Sequence, residues 1–117
     1  MLRYRRLAAV VVGVISLVAA LAWAGTLQRV EPRRVCMVND RVYEKDQIPV
    51  EVDGRTYFGC CEMCKERLSR DAAVRAAVDP VSGAKVDKAR AVVAADADGR
   101  VLYFESEETL ARYEATR

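Results

Sequence analysis

Asp53-Gly54-Arg55-Thr56-Tyr57-Phe58-Gly59-Cys60-Cys61-Glu62-Met63-Cys64-Lys65-Glu66-Arg67-Leu68 is the stretch from which this chain is read. Asp-Gly is a tight-turn signal. Just before it, Ile48, Val50 and Val52 alternate with Pro49 and Glu51, the period of a strand with one buried face. Arg55 to Gly59 is therefore expected as the returning strand of a hairpin. Pro49 has no amide hydrogen to give to a ladder, so the first strand belongs at an edge. A helix is expected from near Cys61 to Leu68.

That helix carries the chemistry. Cys60 and Cys64 are four apart, and Cys61 and Cys64 three apart, so both pairs share a helical face. A fourth cysteine, Cys36, lies upstream, and the chain has no histidine. Soft thiolates gathered at a strand–helix junction suit a thiophilic metal ion. The candidate ligands are Cys36, Cys60 and Cys64, with Cys61 as a spare or exchange ligand, because adjacent Cys60 and Cys61 share one ion only under strain. Cys36 reaches the others only if its strand packs beside the hairpin. Three thiolates suit one Cu(I); Zn2+ needs a fourth ligand, from Cys61, Asp40 or water. Met37 and Met63 offer thioethers for Cu(I), but are read first as packing residues. The helix N-terminus is expected to ease ionisation of the thiols.

Two other uses of the cysteines stand beside this one. Four in an oxidising compartment allow three disulfide pairings, although short loops gain little from such staples. Cys61-Glu62-Met63-Cys64 has the spacing of a thiol–disulfide redox pair, without the βαβ context that usually accompanies it. No histidine base and no phosphate-binding glycine loop is present, so the chain is read as a binding protein and not as an enzyme.

Working outward, the pattern recurs. A short helix is expected over Ala72 to Ala77, capped by Asp71 and ended by Asp79-Pro80. Ala91 to Ala95 then reads as a strand, Asp98-Gly99 as a turn and Arg100 to Phe104 as the return. Ser106 is the expected N-cap of a helix running to about Ala115, with Glu107 and Glu108 solvated in its first turn. Gly54 to Cys60 and Gly99 to Glu105 are both six positions; Cys36 to Gly54 is 18 and Ser82 to Gly99 is 17. On this overlay Ser82, Glu105 and Thr109 stand where the first unit has Cys36, Cys60 and Cys64. Tyr57, Phe58, Tyr103 and Phe104 are expected in the core. The fold class is α+β: two small hairpin–helix units packed together, preceded by one N-terminal hydrophobic helix.

That helix is Leu7 to Ala24, an uncharged apolar run behind Arg3, Arg5 and Arg6. Its 18 residues would span roughly 27 Å as a helix, close to a bilayer core. Residues 1–24 are either a signal peptide cut after Ala22-Trp23-Ala24 or an uncleaved membrane anchor through residues 7–24. Both place the rest outside the inner membrane, periplasmic or anchored facing the periplasm. Setting those three arginines aside leaves 16 of the 19 basic side chains against 17 acidic ones, a net charge of −1 that argues against nucleic acid as a partner. The remainder divides into a linker over 25–34, a metal-binding unit over 35–78 and a cysteine-free unit over 79–117.

The first unit resembles the TRASH domain and the related YHS domain. The matching residues are Cys36, then 23 residues, then Cys60-Cys61-Glu62-Met63-Cys64-Lys65-Glu66-Arg67-Leu68, preceded by Asp53-Gly54-Arg55-Thr56-Tyr57-Phe58. Asp79-Pro80-Val81-Ser82-Gly83 and Gly99 through Tyr103-Phe104-Glu105-Ser106-Glu107 resemble a YHS unit that has lost its cysteines. The resemblance implies treble-clef-like units and a role in heavy-metal sensing, trafficking or resistance. Cys36, Cys60 and Cys64 fall on the family's ligand positions. Many zinc knuckles of this shape carry a second cysteine just after the first, but Cys36-Met37-Val38 runs on to Asn39 here. The partners implied are one metal ion, copper first and zinc next, and a metal transporter or metalloprotein-assembly factor.

Overall fold

The computed structural model describes residues 26–116, and the hydrophobic run Leu7 to Ala24 lies outside them. Among the described residues no helix is long and apolar enough to cross a membrane. The chain runs β1 (Gln28–Arg29), a 3-10 turn (Pro32–Arg34), β2 (Val35–Cys36), β3 (Arg41–Val42), β4 (Ile48–Val52), β5 (Arg55–Gly59) and α1 (Glu62–Arg70). It continues through β6 (Ala76–Val78), β7 (Lys85–Asp87), β8 (Val92–Ala95), β9 (Val101–Phe104) and α2 (Glu107–Ala115). Among the described residues the fold is α+β, with two α-helices and small antiparallel sheets. Each helix closes a run of two hairpins: β2–β3 and β4–β5 before α1, β6–β7 and β8–β9 before α2.

The expected β4–β5 hairpin forms in the expected register, with Val50 opposite Tyr57. Asp53 and Gly54 both take positive φ, 50° and 78°, as a two-residue hairpin turn requires. Val50 and Tyr57 are buried together on one face, against Leu68, the buried residue of α1. In the second unit Asp98-Gly99 lies inside a five-residue loop instead of forming a two-residue turn, since Ala95 pairs with Val101. Asp96 Oδ1 organises that loop by accepting the amides of Asp98 and Arg100.

The helix expected over Ala72 to Ala77 is not formed. Residues 72–75 make a turn, with Asp71 Oδ1 accepting the Ala73 amide at 3.0 Å, and Ala76–Val78 pairs with β7, Ala77 opposite Val86. A six-residue helix repays its nucleation poorly, whereas the strand gains a full ladder and sets Ala77 against the core. This hairpin straddles position 78/79, where the sequence reading divides the two units. Residues 25–34, read as a linker, carry two elements. β1 adds to the edge of β8, with Gln28 opposite Ala95, and Leu27 is buried beside Ala94, Phe104 and Leu110.

The β1-β8-β9 sheet separates two layers. Ala94 and Phe104 face α2, while Val93, Ala95, Val101 and Tyr103 face the other way, as the two-residue strand period dictates. That second set forms one continuous core with Val35, Met37, Val50, Tyr57 and Leu68 of the first unit. Two tyrosines cross between the units: Tyr57 donates to Asp87 Oδ1 and Tyr103 to Asp40 Oδ1, each at 2.8 Å.

Candidate metal centre

Cys36 ends β2 and is fully buried. The chain then turns sharply through residues 37–40. The Asp40 amide donates to the Cys36 carbonyl at 2.8 Å, and Asp40 itself is left-handed, φ 56°. The Met37 amide donates to the Phe58 carbonyl at 2.8 Å, which docks this turn on β5 two residues before Cys60. Cys61 is the N-cap of α1, and its carbonyl accepts the Lys65 amide at 2.9 Å. The first helical turn therefore carries Cys64 back over the end of β5. Gly59 makes the approach possible: a Cβ there would lie 3.0 Å from Cys64 Cβ and 3.2 Å from the Lys65 nitrogen.

The result is a sulfur cluster. The Sγ atoms of Cys36, Cys60 and Cys64 all lie within 4.8 Å of one another, and those of Cys60 and Cys64 are 3.6 Å apart. A metal about 2.3 Å from each of three sulfurs holds them roughly 4 Å apart, so these separations need little adjustment to close on one ion. All four cysteines are free thiols. Cys36 forms the buried floor, Cys64 is half-buried and Cys60 is exposed, so the site opens on one side.

Cys61 is exposed and does not belong to the three-sulfur group. Asp40, a candidate fourth ligand, is not in the group either; its Oδ1 accepts Lys88 Nζ at 3.0 Å and the Tyr103 hydroxyl at 2.8 Å. Met37 is a core residue. Met63 does not pack as expected but is 79% exposed.

The electrostatics differ from the expectation that a helix N-terminus eases ionisation throughout. Burial raises Cys36, but the backbone amides of Asn39, Val38 and Cys60 outweigh it and leave that thiol below its ordinary 9.0. Cys60 is pushed up to about 12, by desolvation first and then by the neighbouring Cys36 and Cys64 sulfurs. Cys64 is raised by burial and by the Cys61 thiol. Only Cys61, aided by the Cys64 amide, is lowered as expected at the helix start. Crowding the sulfurs together makes the second and third ionisations hard unless a cation supplies the balancing charge.

At the overlay positions of the second unit, one carboxylate stands in place of three sulfurs. Asp79 is fully buried. Its Oδ2 accepts the Glu105 amide at 2.8 Å and the Thr109 hydroxyl at 2.6 Å. Its Oδ1 accepts the amides of Val81 at 2.7 Å and Ser82 at 3.1 Å. Ser82, Glu105 and Thr109 thus all donate to one residue that the sequence marks as a helix terminator and as the start of the Asp79–Gly83 run, not as a buried hub. Three-residue spacing from Asp79 to Ser82 in an Asp-Pro turn is the one signal that pointed to it.

No family model, curated protein or solved structure matches this chain.

Proposed function

We propose that this chain binds one thiophilic metal ion through Cys36, Cys60 and Cys64, as a binding protein that traffics or senses the metal and not as an enzyme. The observation that carries the reading is the convergence of these three sulfurs, from β2, from the residue after β5 and from the first turn of α1, to within 4.8 Å. Trigonal sulfur favours Cu(I), and Zn2+ would complete its four-coordinate shell with water or a Cys61 drawn in from the rim. The repeated order of two hairpins and a helix supports the resemblance to tandem TRASH and YHS units. The apolar run Leu7 to Ala24 behind three arginines supports placement outside the inner membrane, anchored or released to the periplasm. An efflux transporter or a metalloprotein-assembly factor is the class of partner that such a site would serve.

Native mass spectrometry of the full chain, purified without oxygen, tests the reading beside a Cys60→Ser/Cys64→Ser variant. One copper or zinc in the parent and none in the variant is the expected result. A metal-free parent lighter by two or four hydrogens would overturn it in favour of disulfides, for which the 3.6 Å approach of Cys60 and Cys64 provides a route.

A further inference from the structure

Lys88 is an unusual feature of the second unit: a lysine only 5% exposed. Burying an ammonium is costly unless its donors are satisfied, and this one is met at the unit interface. Lys88 Nζ donates to the Met37 carbonyl at 2.7 Å and to Asp40 Oδ1 at 3.0 Å, and it lies 5.1 Å from the centroid of the Tyr103 ring. The Tyr103 hydroxyl donates to the same Asp40 oxygen at 2.8 Å. Burial, then the Asp40 charge, raises the Tyr103 hydroxyl, so it remains a donor.

The backbone repeats the connection. The Val101 amide donates to the Asp40 carbonyl at 2.9 Å and the Val42 amide to the Gly99 carbonyl at 3.1 Å. Arg41 Nη1 donates to the Asp98 carbonyl at 3.0 Å. Every one of these bonds ends on residues 37–42, the turn and strand that follow Cys36. Asp40 is also left-handed, a conformation that a non-glycine residue adopts at a cost unless its surroundings hold it.

We infer that Lys88 and Tyr103 of the cysteine-free unit are positioning residues for the metal centre, clamping the Met37–Asp40 turn so that Cys36 meets Cys60 and Cys64. The inference rests on the metal-binding reading, and it assigns the second unit a role beyond added core area. Residues that hold a ligand in place typically change metal affinity by about 10–100-fold when removed.

The test uses the full chain in detergent, titrated with Zn2+ and with Cu+ against a chromophoric chelator, with Co2+ absorption as a report on sulfur coordination. Lys88→Met and Tyr103→Phe are compared with the parent, and Lys88→Arg serves as the charge-conserving rescue. The expected result is affinity at least about tenfold weaker in Lys88→Met, weaker in Tyr103→Phe, and partly restored in Lys88→Arg, with an altered Co2+ spectrum. Should Lys88→Met fail to fold, Tyr103→Phe, which keeps the ring, decides. Folded variants with parental affinity and spectrum would overturn the clamp while leaving the metal site standing. A parent that takes up no ion would instead overturn the metal reading. In that case the alkylation rate of Cys36, measured by peptide mapping, still decides the clamp: it should rise in both variants, and an unchanged rate sinks it.

Discussion

The Thr109 hydroxyl donates to Asp79 Oδ2 at 2.6 Å, across 30 residues of chain and wholly inside the protein. The same carboxylate takes the amides of Ser82 and Glu105. In the first unit the matching positions are Cys36, Cys60 and Cys64, whose sulfurs face one another without such a hub. One junction is closed by a buried anion with neutral donors; the other offers thiols that a cation would hold as bound thiolates. With an ion bound, the two solutions would have opposite signs of central charge and serve the same mechanical end, tying a knuckle, a strand end and a helix start together.

Asp79→Ala is expected to lower stability by about 2–4 kcal/mol, because it leaves buried donors unpaired. Urea unfolding monitored by circular dichroism measures this directly. A loss below about 0.5 kcal/mol would mean that the carboxylate is dispensable.

The Asp79 carboxyl also sets an acid limb. Burial raises it, but the Thr109 hydroxyl and the amides of Glu105, Val81 and Ser82 hold it below its ordinary 3.8. A depressed native value means that its contribution is complete above the unfolded value and is lost as pH falls through the native one. Stability should therefore drop more steeply below about pH 4 in the parent than in Asp79→Asn. Asp87, also lowered, acts in the same direction in both proteins, so the difference between them isolates Asp79. Parallel acid limbs would refute the assignment.

Metal uptake should release protons. With Cys60 near 12 and Cys64 raised, both thiols are protonated at neutral pH in the metal-free protein. An ion must displace at least those two, so apparent affinity should rise by about a hundredfold per pH unit between pH 6 and 8. Chelator competition at three pH values checks the slope. A flat profile would exclude these thiols as ligands.

Gly59→Ala should loosen the centre. The new methyl would sit 3.0 Å from Cys64 Cβ and 3.2 Å from helix backbone, so α1 must shift away from β5. Overpacking of this kind costs about 1–3 kcal/mol, and metal affinity is expected to fall with it. Unchanged affinity and melting together would show that the close approach is not needed.

Leu110 of α2 packs with Leu27, Ala94 and Phe104, far in sequence from the cysteines. The sheet it supports supplies Val93, Ala95, Val101 and Tyr103 to the shared core. Leu110→Ala should cost about 2–4 kcal/mol and lower the temperature of metal release in the same single transition. Release that stays at the parental temperature while the second unit melts would show the units to be independent.

By itself the sequence determined the local architecture. The Asp53-Gly54 turn, the alternation of Ile48, Val50 and Val52, the Ser106 cap and the helix starts at Glu62 and Glu107 all follow from neighbouring residues. So does the proximity of Cys60 and Cys64, which one strand end and one helical turn enforce. Tertiary structure decided what depends on distant partners. Ala76–Val78 is a strand because β7 offers it a ladder, and Gln28–Arg29 is a strand because β8 has an open edge. Cys36 meets the other sulfurs where residues 37–42 are bonded by Lys88, Tyr103 and residues 98–101, and Cys61, at the helix cap, lies outside the group. The thiols of Cys60 and Cys64 rise instead of falling because packing crowds like groups together and partly desolvates them, and no local spacing encodes that crowding.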